Sequence, residues 1–251
     1  MKDYVATIIE NKKIAENIWS VTFDLGEEAN VRAGQFGDIL IGGTHLLRRP
    51  IAICKVEKNL VTYCYQLKGE GTKKLATMGA GTRVNVLMPL GNGFYVEENE
   101  QKIALVGGGV GIFPLISVLR EYVGKKEISA YMGFRNAAAV CGLDEFEKAN
   151  KFVGVTDDGS YGEKMNSVQA FVEDLKKGNR PDVVLSCGPT PMLRALKKVV
   201  EEENLACYVS LEERMGCGIG ACLVCVCALT SGKNARVCKD GPVFNVNQIV
   251  L

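Results

Sequence analysis

Four cysteines in the last forty residues have the type and spacing to bind an iron–sulfur cluster. Cys217, Cys222 and Cys225 follow a C-x4-C-x2-C spacing in a glycine-rich stretch, and Cys238 comes after a hairpin-like segment. Plant-type [2Fe–2S] proteins use this spacing, because four thiolates must converge on two irons. The intervening glycines allow turns that wrap a loop around a cluster and direct backbone N–H groups at its sulfurs. The pattern therefore predicts a [2Fe–2S] site with these four ligands.

A structural zinc site is the main alternative for these cysteines, because it also uses four thiolates. Zinc sites usually pair their cysteines in two short C-x-x-C units, whereas here three share one loop. Cys227 lies two residues after Cys225, on the same face of a predicted strand, and is interpreted as a buried bystander. The other cysteines show no ligand spacing and are interpreted as small hydrophobic residues: Cys54, Cys64, Cys141, Cys187 and Cys207. No secretory segment opens the sequence, so a reducing compartment is expected and disulfides are not.

Two glycine-containing turns in the middle of the sequence have the context of a nucleotide site. Gly107, Gly109 and Gly111 follow a short apolar run and precede a helical one. Gly188 and Pro189 occupy the same kind of turn later in the chain. Glycines allow a pyrophosphate to approach the backbone, and helix N-termini offer free N–H groups. The alternative is that both are simply tight connections between a strand and a helix.

Two further features in the first hundred residues could bind an anion. Arg48 and Arg49 stand just before a predicted strand, and arginine forms bidentate contacts with phosphate. Gly71 and Thr72 mark a loop that enters a helix, with Thr72 predicted as the N-cap residue. Taken alone, the two arginines also fit a solvated surface pair.

These features lie in three regions of different character. Residues 1–98 contain six short β-branched or aromatic runs, at 4–9, 18–25, 37–41, 51–56, 60–67 and 83–87, which predict an antiparallel β-barrel. Residues 99–210 alternate predicted strands and helices, including a helix over 143–150, which predicts a doubly wound α/β domain with a parallel sheet. Residues 211–251 form the cysteine module. The fold class is therefore multi-domain.

Charge and hydropathy argue against two classes of partner. The 30 lysines and arginines balance 29 aspartates and glutamates, so the net charge of +1 gives no sign of nucleic-acid or anionic-membrane binding. Residues 103–119 are uncharged but contain four glycines and a proline. They are therefore predicted as a strand, a turn and the start of a helix rather than as a membrane span.

The order of these motifs resembles that of ferredoxin–NADP reductase-type flavoproteins. The residues that carry the resemblance are the Arg-Pro-Ile-Ala run from Arg49, Gly71-Thr72, the glycine loop, and Cys187-Gly188-Pro189. Segments 213–222 and 236–244 resemble one branch more closely, the electron-transfer subunits of NAD-dependent (class 1B) dihydroorotate dehydrogenases. The resemblance extends over the whole chain, and the cysteine module is its most specific part.

The resemblance implies roles for individual residues. FAD would be bound by the barrel, with Arg49 on its pyrophosphate, and by Pro50, Ile51, Ala52, Gln66, Leu67, Lys68, Gly71 and Thr72. The family usually has Ser or Thr at the position of Ala52. NAD would be bound by Gly107, Gly109, Gly111, Gly188 and Pro189, with Cys187 as the catalytic residue near the nicotinamide. Asp157 stands where NADP-using relatives have a Ser-Arg pair, so a preference for NAD is expected.

The resemblance also implies a function. The chain would carry electrons from a partner FMN-containing dihydroorotate dehydrogenase catalytic subunit, through [2Fe–2S] and FAD, to NAD+ in de novo pyrimidine (UMP) biosynthesis. A flavin is needed between the other two groups because it exchanges both single electrons and hydrides. The expected assembly is a cytoplasmic heterotetramer with two copies of each subunit. Two alternatives remain, a reductase subunit of a sulfur-reducing or bifurcating complex and a zinc-holding docking module.

Overall fold

The first part of the molecule is a closed antiparallel barrel, as predicted. The computed structural model describes residues 1–44 and 46–251. Six strands close the barrel in the order β1-β2-β5-β4-β3-β6. They are β1 (Lys2–Ala15), β2 (Ile18–Asp24), β3 (Phe36–Leu40), β4 (Arg49–Glu57), β5 (Leu60–Gln66) and β6 (Arg83–Leu90).

Alternating burial explains why these strands form a barrel. In β6 the buried positions are Val84, Val86, Met88 and Leu90, with more exposed residues between them, because successive side chains point to opposite faces of a sheet. β1 extends well beyond the predicted 4–9, and its pairing with β2 shifts register twice. Such bulges bend a strand, so that one long strand can serve two neighbours around a barrel.

The helix α1 (Glu70–Ala76) interrupts the barrel where the sequence predicted a helix, but it begins differently. Gly69 is the N-cap residue, so the prediction of Thr72 as N-cap is wrong. Thr72 lies three residues later, where its Oγ1 accepts hydrogen bonds from the backbone N–H groups of Lys68 (3.0 Å) and Gly69 (3.2 Å). Its hydroxyl therefore reaches back to the entering loop, as in a capping box.

The second part is the predicted doubly wound α/β domain. Its sheet has the order β14-β11-β10-β7-β8-β9, and its first five strands in the chain are parallel. They are β7 (Lys102–Gly108), β8 (Glu127–Phe134), β9 (Lys151–Thr156), β10 (Val183–Cys187) and β11 (Ala206–Ser210). The helices are α2 (Ile112–Tyr122), α3 (Leu143–Phe146), α4 (Ser167–Lys176) and α5 (Thr190–Glu202).

The helices cover both faces of this sheet. Apolar residues of α2 and α3 pack in one core together with barrel residues such as Ile18 and Cys54, while α4 and α5 pack in a second core. α2 therefore contacts both the sheet and the barrel strand β4. The predicted helix over 143–150 is too long, because α3 ends at Phe146 and the chain turns before β9 begins at Lys151.

The cysteine module is joined to the α/β sheet. Its short strands β12 (Val226–Ala228) and β13 (Asn234–Arg236) form the predicted hairpin. β14 (Val243–Asn245) then pairs antiparallel with β11. The last strand of the module is thus the edge strand of the α/β domain. No helix among residues 1–44 and 46–251 has the length and apolar character needed to cross a membrane.

Candidate functional site

Two adjoining cavities lie where the barrel, the α/β sheet and the cysteine module meet. The first, of about 230 Å³, lies between the barrel and the module and is called the barrel cavity. The second, of about 510 Å³, lies at the carboxyl edge of the parallel strands and is called the sheet-edge cavity. Gln66, Lys68, Val110 and Glu212 line both cavities. The two sites are therefore immediate neighbours.

Most of the residues expected to bind FAD line the barrel cavity. They come from the start of β4, the end of β5, the loop that follows it and α1, and they are Pro50, Ile51, Ala52, Gln66, Lys68 and Thr72. The opposite wall comes from Phe113 and Pro114 of α2. Glu213 and Met215 of the cysteine module complete the lining. A flat aromatic ring system held here would contact all three parts of the molecule.

Arg49, Gly71 and Leu67 lie outside the lining of either cavity. The Arg49 guanidinium packs directly over Gly71, where a Cβ atom would overlap it. It donates hydrogen bonds to the carbonyls of Leu47 and Arg48. The guanidinium therefore lies against the first turn of α1, and its contact with a phosphate stays a prediction. Leu67 packs against the barrel core.

The sheet-edge cavity contains most of the residues expected to bind NAD. Gly109, Gly111, Asp157, Gly188 and Pro189 all line it. They come from turns that follow three parallel strands, which is the edge where ligands bind in open α/β sheets. The backbone N–H of Asp157 donates to the Phe134 carbonyl (2.9 Å), which ties the ends of β8 and β9 together.

Gly107 is the exception among the expected NAD residues. It lies inside β7 and outside the lining of both cavities. A Cβ atom at this position would lie 2.7 Å from the sulfur of Met132 and 3.0 Å from a methyl carbon of Leu115. Its small size is therefore needed for packing between β7, β8 and α2, and its contact with a nucleotide stays a prediction.

Cys187 ends β10 and lines the barrel cavity. It is only 3% exposed. Burial raises the pKa of its thiol well above the usual range, and the nearby Glu212 carboxylate raises it further. The side chain is therefore a neutral thiol at physiological pH. Such a group can contact a ring or donate a weak hydrogen bond, but it is a poor nucleophile.

Glu212 is a site residue that sequence reasoning missed. It lines both cavities, and its carboxylate lies 3.7 Å from the Lys68 ammonium group of the barrel. This ion pair spans the shared rim, where the barrel meets the chain leaving β11. The signal in the sequence was its position just after an apolar strand, because carboxyl ends of parallel strands share one edge.

The glycine-rich loop between Cys217 and Cys225 is called the cysteine loop. The Cys217 sulfur accepts hydrogen bonds from the backbone N–H groups of Ala221 (3.2 Å) and Cys222 (3.4 Å). The sulfur of Cys225 accepts one from the N–H of Cys238 (3.4 Å). Although burial raises the pKa of Cys217, hydrogen bonds from Ile219 and Cys222 lower it to about 6. The loop is thus built to stabilise thiolate.

The four predicted ligands occur as two interacting pairs. The Cys217 and Cys222 side chains form one pair, and Cys225 and Cys238 form the other. Burial, the hydrogen bond with Cys225 and the charges of Cys225 and Cys217 together raise the pKa of Cys238 to about 12. Among the described residues, no three His, Cys, Asp or Glu side chains are already arranged as ligands of a metal ion. The four thiols and the surrounding N–H donors fit a [2Fe–2S] cluster in chemistry, and the ligand set stays a prediction.

Three residues of the cysteine loop, and one residue just after it, expose large apolar side chains to solvent. The exposed fractions are 44% for Ile219, 61% for Leu223, 54% for Val224 and 40% for Val226. Leu223 also has a backbone φ of 57°. A bulky residue in this left-handed region is uncommon and strained. An exposed apolar side chain on a strained backbone indicates a contact surface more than a packing role.

Sequence comparisons match both halves of this site to known families. Residues 212–250 match the iron–sulfur cluster binding domain of dihydroorotate dehydrogenase B, and residues 105–198 match the oxidoreductase NAD-binding domain. The chain is 42% identical over 259 aligned positions to the dihydroorotate dehydrogenase B (NAD+) electron transfer subunit of Bacillus cereus (strain Q1), covering 97% of each protein. The protein of the same name from Bacillus mycoides (strain KBAB4) gives the same identity and coverage. This chain belongs to the family of electron-transfer subunits of dihydroorotate dehydrogenase B.

Solved structures of other electron-transfer flavoproteins and reductases share the fold of this chain. The chain superposes with a TM-score of 0.86 on a structure described for flavin-based electron bifurcation by an NADH-dependent reduced ferredoxin–NADP oxidoreductase, at 26% identity, covering 98% of this chain and 90% of that one. Phthalate dioxygenase reductase, at 17% identity and a TM-score of 0.67, shares the fold over 94% of each chain.

Proposed function

We propose that this chain relays electrons from an FMN-containing, dihydroorotate-oxidising catalytic subunit to NAD+ through a [2Fe–2S] cluster and FAD that it binds itself. The observation that carries the proposal is the arrangement in series of the cysteine loop, the barrel cavity and the sheet-edge cavity. Met215 lines the barrel cavity two residues before Cys217, and Gln66 and Lys68 line both cavities. Each carrier would therefore be next to the following one.

The residues have distinct roles in this proposal. Arg49, with Gly71 and Thr72, binds the FAD pyrophosphate as a fixed cation beside a hydroxyl. Pro50, Ile51 and Ala52 give the flavin ring an apolar wall that excludes water. Gln66, at the end of β5, and Lys68, just after it, give polar groups at the rim shared by the two cavities, while Leu67 between them packs against the barrel core and holds this segment in place. When bound, FAD supplies the exchange between single electrons and the hydride of a nicotinamide.

The NAD residues position the nicotinamide against the flavin. Gly109, Gly111, Gly188 and Pro189 provide close backbone approach to the pyrophosphate at the sheet edge. Asp157 accepts hydrogen bonds from ribose hydroxyls and repels a 2′-phosphate. Cys187, which lines the barrel cavity next to Gly188 of the sheet-edge cavity, contacts the ring as a neutral thiol. In domain terms, residues 1–98 bind FAD, residues 99–210 bind NAD and residues 211–251 bind the cluster.

The partner would dock on the cysteine loop. Electrons must reach the cluster from outside this chain, so the partner flavin has to come close to the exposed Cys222. Ile219, Leu223 and Val224 of the same loop, and Val226 just after it, expose apolar side chains that such a partner could cover. We infer a heterotetramer with two copies of each subunit, located in the cytoplasm, where a reducing environment keeps the ligand thiols free.

Reconstitution with and without the partner tests this function. Alone, the chain should pass electrons from NADH to an artificial acceptor and show no dihydroorotate oxidation. With an FMN-bearing catalytic subunit, orotate and NADH should appear together in equal amounts. Substantial dihydroorotate turnover by the isolated chain, or a failure to associate with any such subunit, would contradict the proposal. A failure to associate with any such subunit would indicate that the chain is the reductase subunit of a different complex, such as a bifurcating one.

A further inference from the structure

A buried carboxylate lies directly beneath the cysteine loop. Asp38 belongs to the barrel strand β3 and is 1% exposed. Its neighbour Ile39 points into the barrel core, so Asp38 points out of the barrel. On this outer face, Phe36 and Leu90 share a core with Cys225 and Cys238 of the cysteine module. Asp38 thus lies between the FAD-binding barrel and the cluster ligands.

The Asp38 carboxylate lies in close contact with the backbone of the cysteine loop. Gly218, the residue after Cys217, has a φ of +68°. A Cβ atom at this position would lie only 2.6 Å from Oδ2 of Asp38. The loop backbone therefore rests on the carboxylate with no side chain between them. The charges of Asp38 and Cys217 also interact, since Cys217 contributes to the raised pKa of Asp38.

Among the described residues no cation forms a direct ion pair with the Asp38 carboxylate, although the charges of Arg48 and Arg49 act on it from nearby. Its Oδ1 atom has no hydrogen-bond partner among the described residues. Arg48 donates instead to the carboxylate of Asp3 (2.8 Å) and to the backbone carbonyl of Asp38 (3.2 Å). Arg49 donates to backbone carbonyls. Burial raises the pKa of Asp38 to about 6, with the charges of Arg48 and Arg49 opposing that shift.

A purely structural role accounts poorly for this residue. A buried carboxylate with an unpartnered oxygen costs stability, and an apolar residue of similar size would fill the same space without that cost. The charge is fixed on a rigid barrel strand rather than on the loop. Its distance from a cluster bound by the loop would therefore stay constant during electron transfer.

We propose that Asp38 sets the reduction potential of the [2Fe–2S] cluster, its carboxylate making the cluster harder to reduce and a better donor to FAD. This inference rests on the proposed function, because it requires a cluster on the cysteine loop. Net charge and local electrostatics are among the factors that set the potential of such clusters. A negative charge a few ångströms away in a poorly solvated region opposes the addition of an electron.

Redox titration followed by electron paramagnetic resonance of the reduced cluster tests the proposal. At pH 8, Asp38→Asn should raise the cluster midpoint by about 59 mV, which is roughly a tenfold change in a one-electron equilibrium. Asp38→Glu, which keeps the charge, should stay near the wild-type value. Asp24→Asn is the control, because that carboxylate bonds to Gly26 and Asn59 on the barrel and should leave the midpoint unchanged.

Each outcome of this titration is informative. The resonance signal comes only from molecules that carry a cluster, so partial loss of iron does not hide the shift. Equal shifts in the Asn and Glu variants, or no shift in the Asn variant, would overturn the electrostatic role. If the Asn variant alone loses its cluster completely, the electrostatic role is also overturned, and Asp38 instead supports the structure of the cysteine loop. Absence of any cluster signal in the wild-type chain would instead count against the proposed function.

Discussion

The ten cysteines of this chain differ in chemistry because their surroundings differ. Cys217 lies in a loop whose backbone N–H groups point at its sulfur, and these hydrogen bonds lower its pKa to about 6 despite the effect of burial. Cys207 lies in a strand, where burial raises its pKa to about 12. The same residue type is therefore suited to bind a metal in one place and is a small hydrophobic residue in the other.

Substitution of one ligand should remove the cluster and leave the flavin. Cys225→Ser should lower the iron content to near zero, because serine is a poor ligand for a [2Fe–2S] cluster. FAD content, measured by absorbance after release, should stay at the wild-type level. Cys227→Ser is the matched control two residues away and should keep its iron. Full iron content in the Cys225 variant would contradict the ligand assignment.

A single carboxylate should decide which nucleotide is used. Asp157 lines the sheet-edge cavity, and its charge would repel the 2′-phosphate of NADP. Asp157→Asn should therefore raise kcat/KM for NADPH relative to NADH by about tenfold, or about 1.4 kcal/mol. The neighbouring Asp158 bonds to Ser160, and Asp158→Asn should leave the ratio unchanged. If the wild type used NADH and NADPH with equal kcat/KM, Asp157 would not determine the preference for NAD over NADP.

At the scale of elements, an ion-pair network joins the barrel to the α/β domain. Glu145 of α3 pairs with Lys55 of β4, Arg120 of α2 and Lys148, and its side chain is only 8% exposed. Arg120 also pairs with Glu57 at the end of β4. The network therefore fixes the face of α2 and α3 against the barrel. Because Phe113 and Pro114 of α2 line the barrel cavity, the network also holds that wall of the cavity in place.

Loss of the Glu145 charge should destabilise this interface. Burial would raise the pKa of Glu145, but hydrogen bonds from Lys148 and Lys55 lower it to about 2. Because the folded pKa lies below the ordinary value of 4.5, the stabilisation is complete above pH 4.5 and is lost as the pH falls toward 2. Glu145→Gln should lower the free energy of unfolding at pH 7 by about 2 kcal/mol, since it leaves partly buried cations unpaired.

Urea unfolding at pH 7 and at pH 3 measures this effect. The deficit of the Glu145→Gln variant should be smaller at pH 3, because the Glu145 carboxyl of the unfolded wild type is then mostly protonated and the folded state gains less from keeping it charged. Glu10→Gln is the control, since its pair with Lys12 is exposed and should contribute less than about 1 kcal/mol. A deficit that does not change with pH would mean that packing, and not charge, is responsible.

At the scale of the whole molecule, the apolar surface around the cysteine loop should determine assembly. Leu223→Asn places a residue that tolerates a positive φ at this strained position, so the fold and the cluster should be kept. The exposed leucine would be lost from the interface, and Kd for the catalytic subunit should rise about tenfold, as expected for one apolar side chain. Calorimetric titration of one subunit into the other measures this change.

An exposed apolar residue far from the cysteine loop in the sequence provides the control for the Leu223 variant. Ile9 is 47% exposed on β1 of the barrel, and Ile9→Thr removes a comparable apolar group away from the cysteine loop. This variant should bind the catalytic subunit as tightly as the wild type. If the Leu223 variant binds with unchanged affinity while keeping its iron, then the partner docks elsewhere.

Sequence alone determined the features that depend on local pattern. The cysteine spacing predicted an iron–sulfur module, six short β-branched or aromatic runs predicted the barrel, and strand–turn–helix repeats predicted the doubly wound sheet. These signals are readable because side-chain period and turn chemistry act over a few residues. The order of the motifs along the chain was also enough to indicate the family.

Only the tertiary structure decided which distant residues meet. Glu212 lines both cavities, and Asp38 supports Gly218, although 180 positions separate them in the sequence numbering. β14 completes the α/β sheet from within the cysteine module. None of these contacts has a local signature, because each depends on the packing of whole elements against one another. Local pattern therefore specified the barrel, the α/β domain and the cysteine module, and long-range packing specified how the cysteine loop and the two cavities come to lie next to one another.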